Sequence, residues 1–156
     1  MSFNDAAITE IFDAIVSYAI TTGRFDHVNQ HEVKSAPGSA MSCSVWVQSV
    51  RPVRSSGLAA TSGVVLINAR IYRNMRRMPY DMIDPDVTAA VADLMGTLSG
   101  DFNFGGIADI RNLDLLGSTG AGLSAQAGYI EIDRQMFRSM TLAIPIIIND
   151  MFVQEV

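Results

Sequence analysis

Alternation of apolar and polar residues dominates the middle and the end of this 156-residue chain. One run covers 43–48 and a second covers 64–72, and in both runs the odd-numbered residues are all apolar. A third run covers 136–148, where the even-numbered residues from Met140 to Ile148 are apolar. A period of two is typical of a β-strand with one buried face. The sequence therefore predicts a sheet built from these runs.

Two segments have the helical period instead. In the first, apolar residues recur at i, i+3, i+4 and i+7, which indicates a helix with one apolar face: Ile8, Ile11, Phe12, Ile15, Ala19 and Ile20. Asn4 or Asp5 can cap this helix, and Gly23 follows as a C-terminal stop.

The second helix is predicted to begin at Asp84-Pro85, a capping side chain followed by proline, and to end at Gly100. Its apolar stripe comprises Val87, Ala90, Val91, Leu94, Met95 and Leu98. Asp84 and Asp86 also resemble a pair of metal ligands, but helix capping explains two carboxylates at this position better.

The other segments complete an α+β fold: one mainly antiparallel β-sheet with two helices packed on one face. The thirteen residues 51–63 are interpreted as a long, flexible hairpin excursion with Arg51 and Arg54 at its base. Residues 107–116 are predicted as a strand, 117–122 as a loop, and 127–148 as a hairpin around 133–135. Because proline cannot donate to a ladder, Pro145 predicts an edge or a bulge. We expect one domain, 1–156.

Charge is unevenly distributed along the chain. Residues 33–80 include seven basic residues and no acidic one, whereas the other 108 residues include 16 carboxylates and four arginines. This pattern predicts one positive and one negative surface, with which identical copies can face each other. The residues predicted to form the oligomer or partner interface are Arg51, Arg54, Arg70, Arg73, Arg76 and Arg77. The alternative is a chance run of solvated arginines.

Composition favours an assembly subunit over an enzyme. Only 17% of the residues are charged, against about 25% in most globular chains, which suggests that partners cover part of the surface. The apolar runs are shorter than the roughly 18 residues of a membrane span, and the N-terminal residues do not resemble a secretion signal. The lone Cys43 is interpreted as a small buried side chain.

Candidate catalytic and ligand-binding motifs are weak. His27 and His31 have the spacing of metal ligands on a helix, but Arg24–Glu32 reads as an extended segment or loop, which would place the two residues roughly 13 Å apart. The glycine-rich segment 117–122 lacks the Lys-Ser/Thr of a phosphate-binding loop. We therefore expect no enzymatic activity, no cofactor and no metal. The arginines of 73–77 allow a passive contact with DNA, although the pI of about 4.8 opposes tight binding to phosphates.

Four segments of the chain resemble tail-terminator (tail-completion) proteins of bacteriophages with long, non-contractile tails. These segments are the N-terminal helix 8–20, the stretch 46–63, the segment 123–129 and the ending 137–150. The resemblance covers nearly the whole chain, and the order of elements agrees with the α/β subunit of that family.

The resemblance implies a virion protein that forms a ring, typically of six copies, at the head-proximal end of the tail. Such a ring stops polymerisation of the tail-tube protein and offers a surface to the head-side connector. The family has no catalytic residues whose roles could be assigned to positions of this sequence. Alternatives are another ring-forming tube or neck component, a small ligand-binding domain that uses the 117–122 loop, and a nucleic-acid-binding factor.

Overall fold

The computed structural model describes residues 2–3, 5–32, 41–55, 60–76, 80–100, 110–117, 120 and 122–153. These ranges contain two helices and seven strands, in chain order: β1 (Ser2–Phe3), α1 (Asp5–Thr21), β2 (His27–Asn29), β3 (Met41–Ser55), β4 (Ala60–Asn74), α2 (Ile83–Gly100), β5 (Ile110–Leu113), β6 (Ser124–Ile132) and β7 (Gln135–Val153). A short 3-10 turn, Tyr80–Met82, precedes α2.

The strands form one sheet around β7, the longest strand. One side of β7 pairs with β4, and its other side pairs in succession with β6, β5 and β1. Beyond β4 lies β3, whose first residues pair with β2. Only the β2–β3 pair is parallel among these strands. The predicted α+β fold with a mainly antiparallel sheet is confirmed.

Both helices pack on the same face of this sheet. The main core joins buried residues of α1 and α2 to alternate residues of the three central strands, such as Val45 on β3, Ile67 on β4 and Ile144 on β7. We call this the helix side of the sheet and the opposite face the open side. Burial there drives the fold, because each fully buried aliphatic side chain contributes about 1.5 to 3 kcal/mol.

The apolar stripe of α1 differs from the prediction at one position. Ile11, Ile15 and Ala19 are buried, but Ile20 is 61% exposed and Val16 is buried instead. At 3.6 residues per turn, Ile20 lies about 110° from the centre of the buried stripe, so it falls on the flank of the helix. Gly23 ends the helix with a φ of 68°, a conformation that glycine adopts without strain.

Helix α2 begins one residue earlier than predicted. It starts at Ile83, so Asp84 lies in the first turn instead of capping it. Within this turn, Asp84 accepts a hydrogen bond from Arg138 at 3.0 Å and Asp86 accepts one from Arg73 at 2.8 Å. These carboxylates therefore attach the start of α2 to the sheet, and Gly100 ends the helix as predicted.

The segment 51–63 belongs to a long β-hairpin excursion, as predicted, and its two strands stay paired over most of its length. Strands β3 and β4 remain paired from Arg51–Val64 to Ser55–Thr61, with register shifts after Val47 and Pro52. The segment shows no apolar alternation in its sequence: Arg51 and Pro52 on β3 are exposed, whereas Ser62 and Gly63 on β4 are buried. The structure thus has a long β-hairpin, and 56–59 lie outside the described residues.

Pro145 is in the interior of the sheet, so its prediction as an edge residue is wrong. It pairs with Leu66 of β4, and its carbonyl accepts a hydrogen bond from the backbone N–H of Asp114. In a strand, the nitrogen and the carbonyl of one residue point to the same side. The missing N–H therefore faces the gap where β6 ends and β5 begins, and the ladder to β4 loses nothing.

The last elements follow the prediction with shifted bounds. Strand β5 is limited to Ile110–Leu113, and 101–109 lie outside the described residues. The hairpin of β6 and β7 turns at Asp133 and Arg134, whose φ values are 52° and 63°. Two successive positive values are those of a tight type I′ turn.

Candidate interaction surfaces

The arginines predicted to form one interface are spread over the molecule. Arg51 pairs with Val64, which lies nine residues from Arg73 along β4, a distance of roughly 30 Å at the rise of a strand. Arg51 and Arg54 therefore lie toward the tip of the β3–β4 hairpin, and Arg73 and Arg76 lie toward the opposite end of the sheet. The structure does not bring these residues together in a single patch.

Arg73 contacts a carboxylate of its own chain. Its guanidinium bonds Asp86 at the start of α2, and its side chain is only 12% exposed. The neighbouring residue across the ladder, Arg138, bonds Asp84 and lies over the ring of Tyr129 at 4.5 Å. These two pairs hold α2 on the sheet, so Arg73 has a structural role within its own chain.

Arg70 lies on the open side of the sheet and is also engaged. Its Nε donates to Thr141 Oγ1 at 2.8 Å, and its guanidinium lies 5.2 Å from the centre of the Trp46 ring. Glu32 is 3.8 Å away, at the long limit of an ion pair. A cleft of about 370 Å³ opens beside Arg70.

A buried polar row lies next to Arg70 on the open side. Ser42, Ser44 and Tyr72 are almost fully buried, and the hydroxyls of the two serines have no hydrogen-bond partner in the described part of the chain. Burial raises the pKa of the Tyr72 phenol, which keeps it neutral.

The uneven charge along the sequence is therefore partly neutralised in space. Arg70 and Arg73 come from the basic interval 33–80, and their partners Glu32 and Asp86 come from outside it. Arg51 and Arg76 are exposed, and the side chains of Arg54 and Arg77 lie outside the described residues. Arg76 makes no ion pair within the part of the chain that the structure describes.

Strand pairing shows a feature that the sequence did not: two different open edges. On the outer edge of β3 only Ser42–Ser44 pair with β2, and the ten residues or so that follow pair with no described strand. Along the outer edge of β6, likewise, no residue pairs with any described strand. Pro52 was a possible signal, since proline within a strand favours an edge.

Exposed apolar side chains lie at both of these edges. Val47 and Val50 on β3 are 40% and 37% exposed, and Tyr129 on β6 is 63% exposed. Their ladder partners Ile67, Val65 and Arg138 all point to the helix side, so the three exposed residues do as well. A cleft of about 350 Å³ lies beside Val47, lined by Ile8, Thr9, Phe12, Asp13, Gln30 and Trp46.

The weak motifs form no site among the described residues. His27 and His31 are exposed on and after β2, and the structure groups no three metal-ligating side chains in the ranges described. Cys43 is fully buried, and burial raises the pKa of its thiol to about 12, so its prediction as a buried side chain is confirmed. Of the glycine-rich loop, Gly117 donates its N–H to Asp114.

No protein-family model matches this chain, and comparison with curated proteins gives no match either. Among the described residues, neither helix has the length and hydrophobicity that crossing a bilayer requires.

Proposed function

We propose that this chain is a structural subunit of a bacteriophage tail, forming a ring that ends polymerisation of the tail tube. The resemblance of 8–20, 46–63, 123–129 and 137–150 to tail-terminator proteins suggests this role, and the α+β fold is compatible with it. The ring has about six copies and lies at the head-proximal end of the tail in the virion. It assembles in the host cytoplasm.

The observation that supports a ring most strongly is the presence of two different open edges on one sheet. The β3 edge and the β6 edge lie on opposite sides of the subunit, with β4 and β7 between them. A contact between two different surfaces of the same chain is heterologous, and such contacts close into a ring when the rotation between copies allows it.

The ends of the strands then face the partners above and below the ring. One end has Arg51 and Arg54 near the tip of the β3–β4 hairpin, and the other has Arg76 just past the end of β4. Arg77 follows Arg76 in the sequence and lies outside the described residues. In this proposal these arginines contact carboxylates of the tail-tube protein, the head-side connector or a neighbouring copy. DNA passing through the ring makes only passive contacts.

The experiment is polymerisation of the tail-tube protein of the same phage with and without this chain, followed by electron microscopy. We expect shorter tubes with a ring at one end, and we expect the double variant Arg76→Glu/Arg77→Glu to lose this effect. The matched control is the double variant Arg76→Lys/Arg77→Lys, which keeps both positive charges and should still shorten the tubes.

Tubes of unchanged length in the presence of the chain would contradict the proposed function. Long tubes formed by the purified chain alone would instead identify it as a tube component.

A further inference from the structure

We propose that β3 of one copy pairs antiparallel with β6 of the next copy, so that the sheets of neighbouring subunits join into one continuous sheet. This inference rests on the proposed ring and names the contact that closes it. The occupant of the β3 edge is thus a second copy of this chain.

Strand direction supports the pairing. Across the subunit the strands β6, β7, β4 and β3 are antiparallel at each step, so β3 and β6 run in opposite directions. Subunits of a cyclic ring all have the same orientation relative to its axis. Placing β6 of the next copy beside β3 therefore continues the antiparallel order without inverting a subunit, and the backbone N–H and C=O groups of both edges gain partners.

The exposed apolar residues at the two edges also match. In a joined sheet, Tyr129 of one copy lies on the helix side next to Val47 and Val50 of its neighbour. Aromatic and β-branched side chains on adjacent strands stabilise a sheet by about 0.2 to 1 kcal/mol per pair. The cleft beside Val47, which Phe12 and Trp46 line, gives an aromatic ring further apolar contact.

The charges on the two strands disfavour a symmetric pairing of β3 with the β3 of another copy. Strand β3 has Arg51 and Arg54 and no carboxylate, and the only charged residue of β6 is Glu131. Pairing two β3 edges would bring arginines of like charge close together, whereas β6 has no basic residue to set against Arg51 and Arg54.

The test is cross-linking of the full chain with Val50→Cys and Tyr129→Cys combined, using a flexible bismaleimide linker. Cys43 does not interfere, because its thiol is fully buried and neutral. We expect a ladder on a denaturing gel that ends at the ring's copy number, with no ladder from either single variant. The control pairs Val50→Cys with Thr97→Cys, which is exposed on α2, and should give no ladder.

Each other outcome overturns the inference in a distinguishable way. Dimers from the single variant Val50→Cys would show symmetric β3–β3 pairing. A defined oligomer by light scattering without a ladder from the double variant would place the contact elsewhere and leave the ring intact. Monomers in both measurements would overturn the ring as well.

Discussion

At the scale of single residues, burial shifts the pH at which a side chain loses its proton. The Cys43 thiol is fully buried and receives no compensating contact, so desolvation raises its pKa from 9.0 to about 12. The folded chain therefore holds the thiol proton at pH values where the unfolded chain has released it. The stability that this proton linkage contributes is complete below pH 9 and is lost as the pH rises toward 12.

We expect the free energy of unfolding to fall more steeply with pH in the native chain than in Cys43→Ala. Between pH 9 and 12 the difference in slope approaches roughly 1.4 kcal/mol per pH unit, the value for one proton. Urea unfolding from about pH 8 to about pH 11 measures both slopes. Parallel curves for the two proteins would show that Cys43 titrates normally.

The contribution of an ion pair to the free energy of unfolding depends on how deeply the pair is buried. Asp86→Ala leaves the guanidinium of Arg73, 12% exposed, without its carboxylate, and we expect a loss of about 1.5 to 3 kcal/mol in unfolding free energy. The matched variant Asp93→Ala breaks the exposed pair with Arg24, which is worth about 1 kcal/mol or less. Chemical unfolding of both variants tests the order, and equal losses would contradict a structural role for Arg73.

At the scale of elements, the β6–β7 hairpin has a turn that its sequence does not favour. Asp133 and Arg134 both have positive φ, where the tight turn prefers Asn-Gly. A side chain in this region costs about 1 to 2 kcal/mol, which glycine avoids.

We expect Arg134→Gly to stabilise the protein by about 0.5 to 1 kcal/mol, because relief of strain outweighs the greater freedom of glycine in the unfolded chain. Arg134→Ala removes the same charge and keeps the strain, so it serves as the control. Thermal and urea unfolding compare the two, and a glycine variant no more stable than the alanine variant would refute the argument.

The helices and the buried strands could be predicted from the sequence because each buries one regular face. The stripe from Ile11 to Ala19 and the alternation around Ile67 both come from contact with the core. The strand pairing of the β3–β4 hairpin beyond Arg51 could not be predicted in this way, since 51–63 has no hydrophobic period. Pro145 was misplaced because only the pairing of β5 and β6 shows which side its nitrogen faces.

At the scale of the whole molecule, the sequence predicted the fold class better than the candidate site. The charge pattern identified basic residues, but long-range contacts brought Arg70 to Glu32 and Arg73 to Asp86. Which strands end at an edge depends on the order of strands across the sheet, and no local pattern encodes that order. The open edges of β3 and β6 were therefore visible only in the structure.

The most direct test of the proposed ring is the molar mass of the purified full chain by multi-angle light scattering over a range of concentrations. One copy has a mass of 16.9 kDa. We predict a closed assembly whose mass reaches about six copies and then stays constant as concentration rises, since a ring leaves no free edge. A mass of 16.9 kDa at every concentration, or one that grows without limit, would contradict the account.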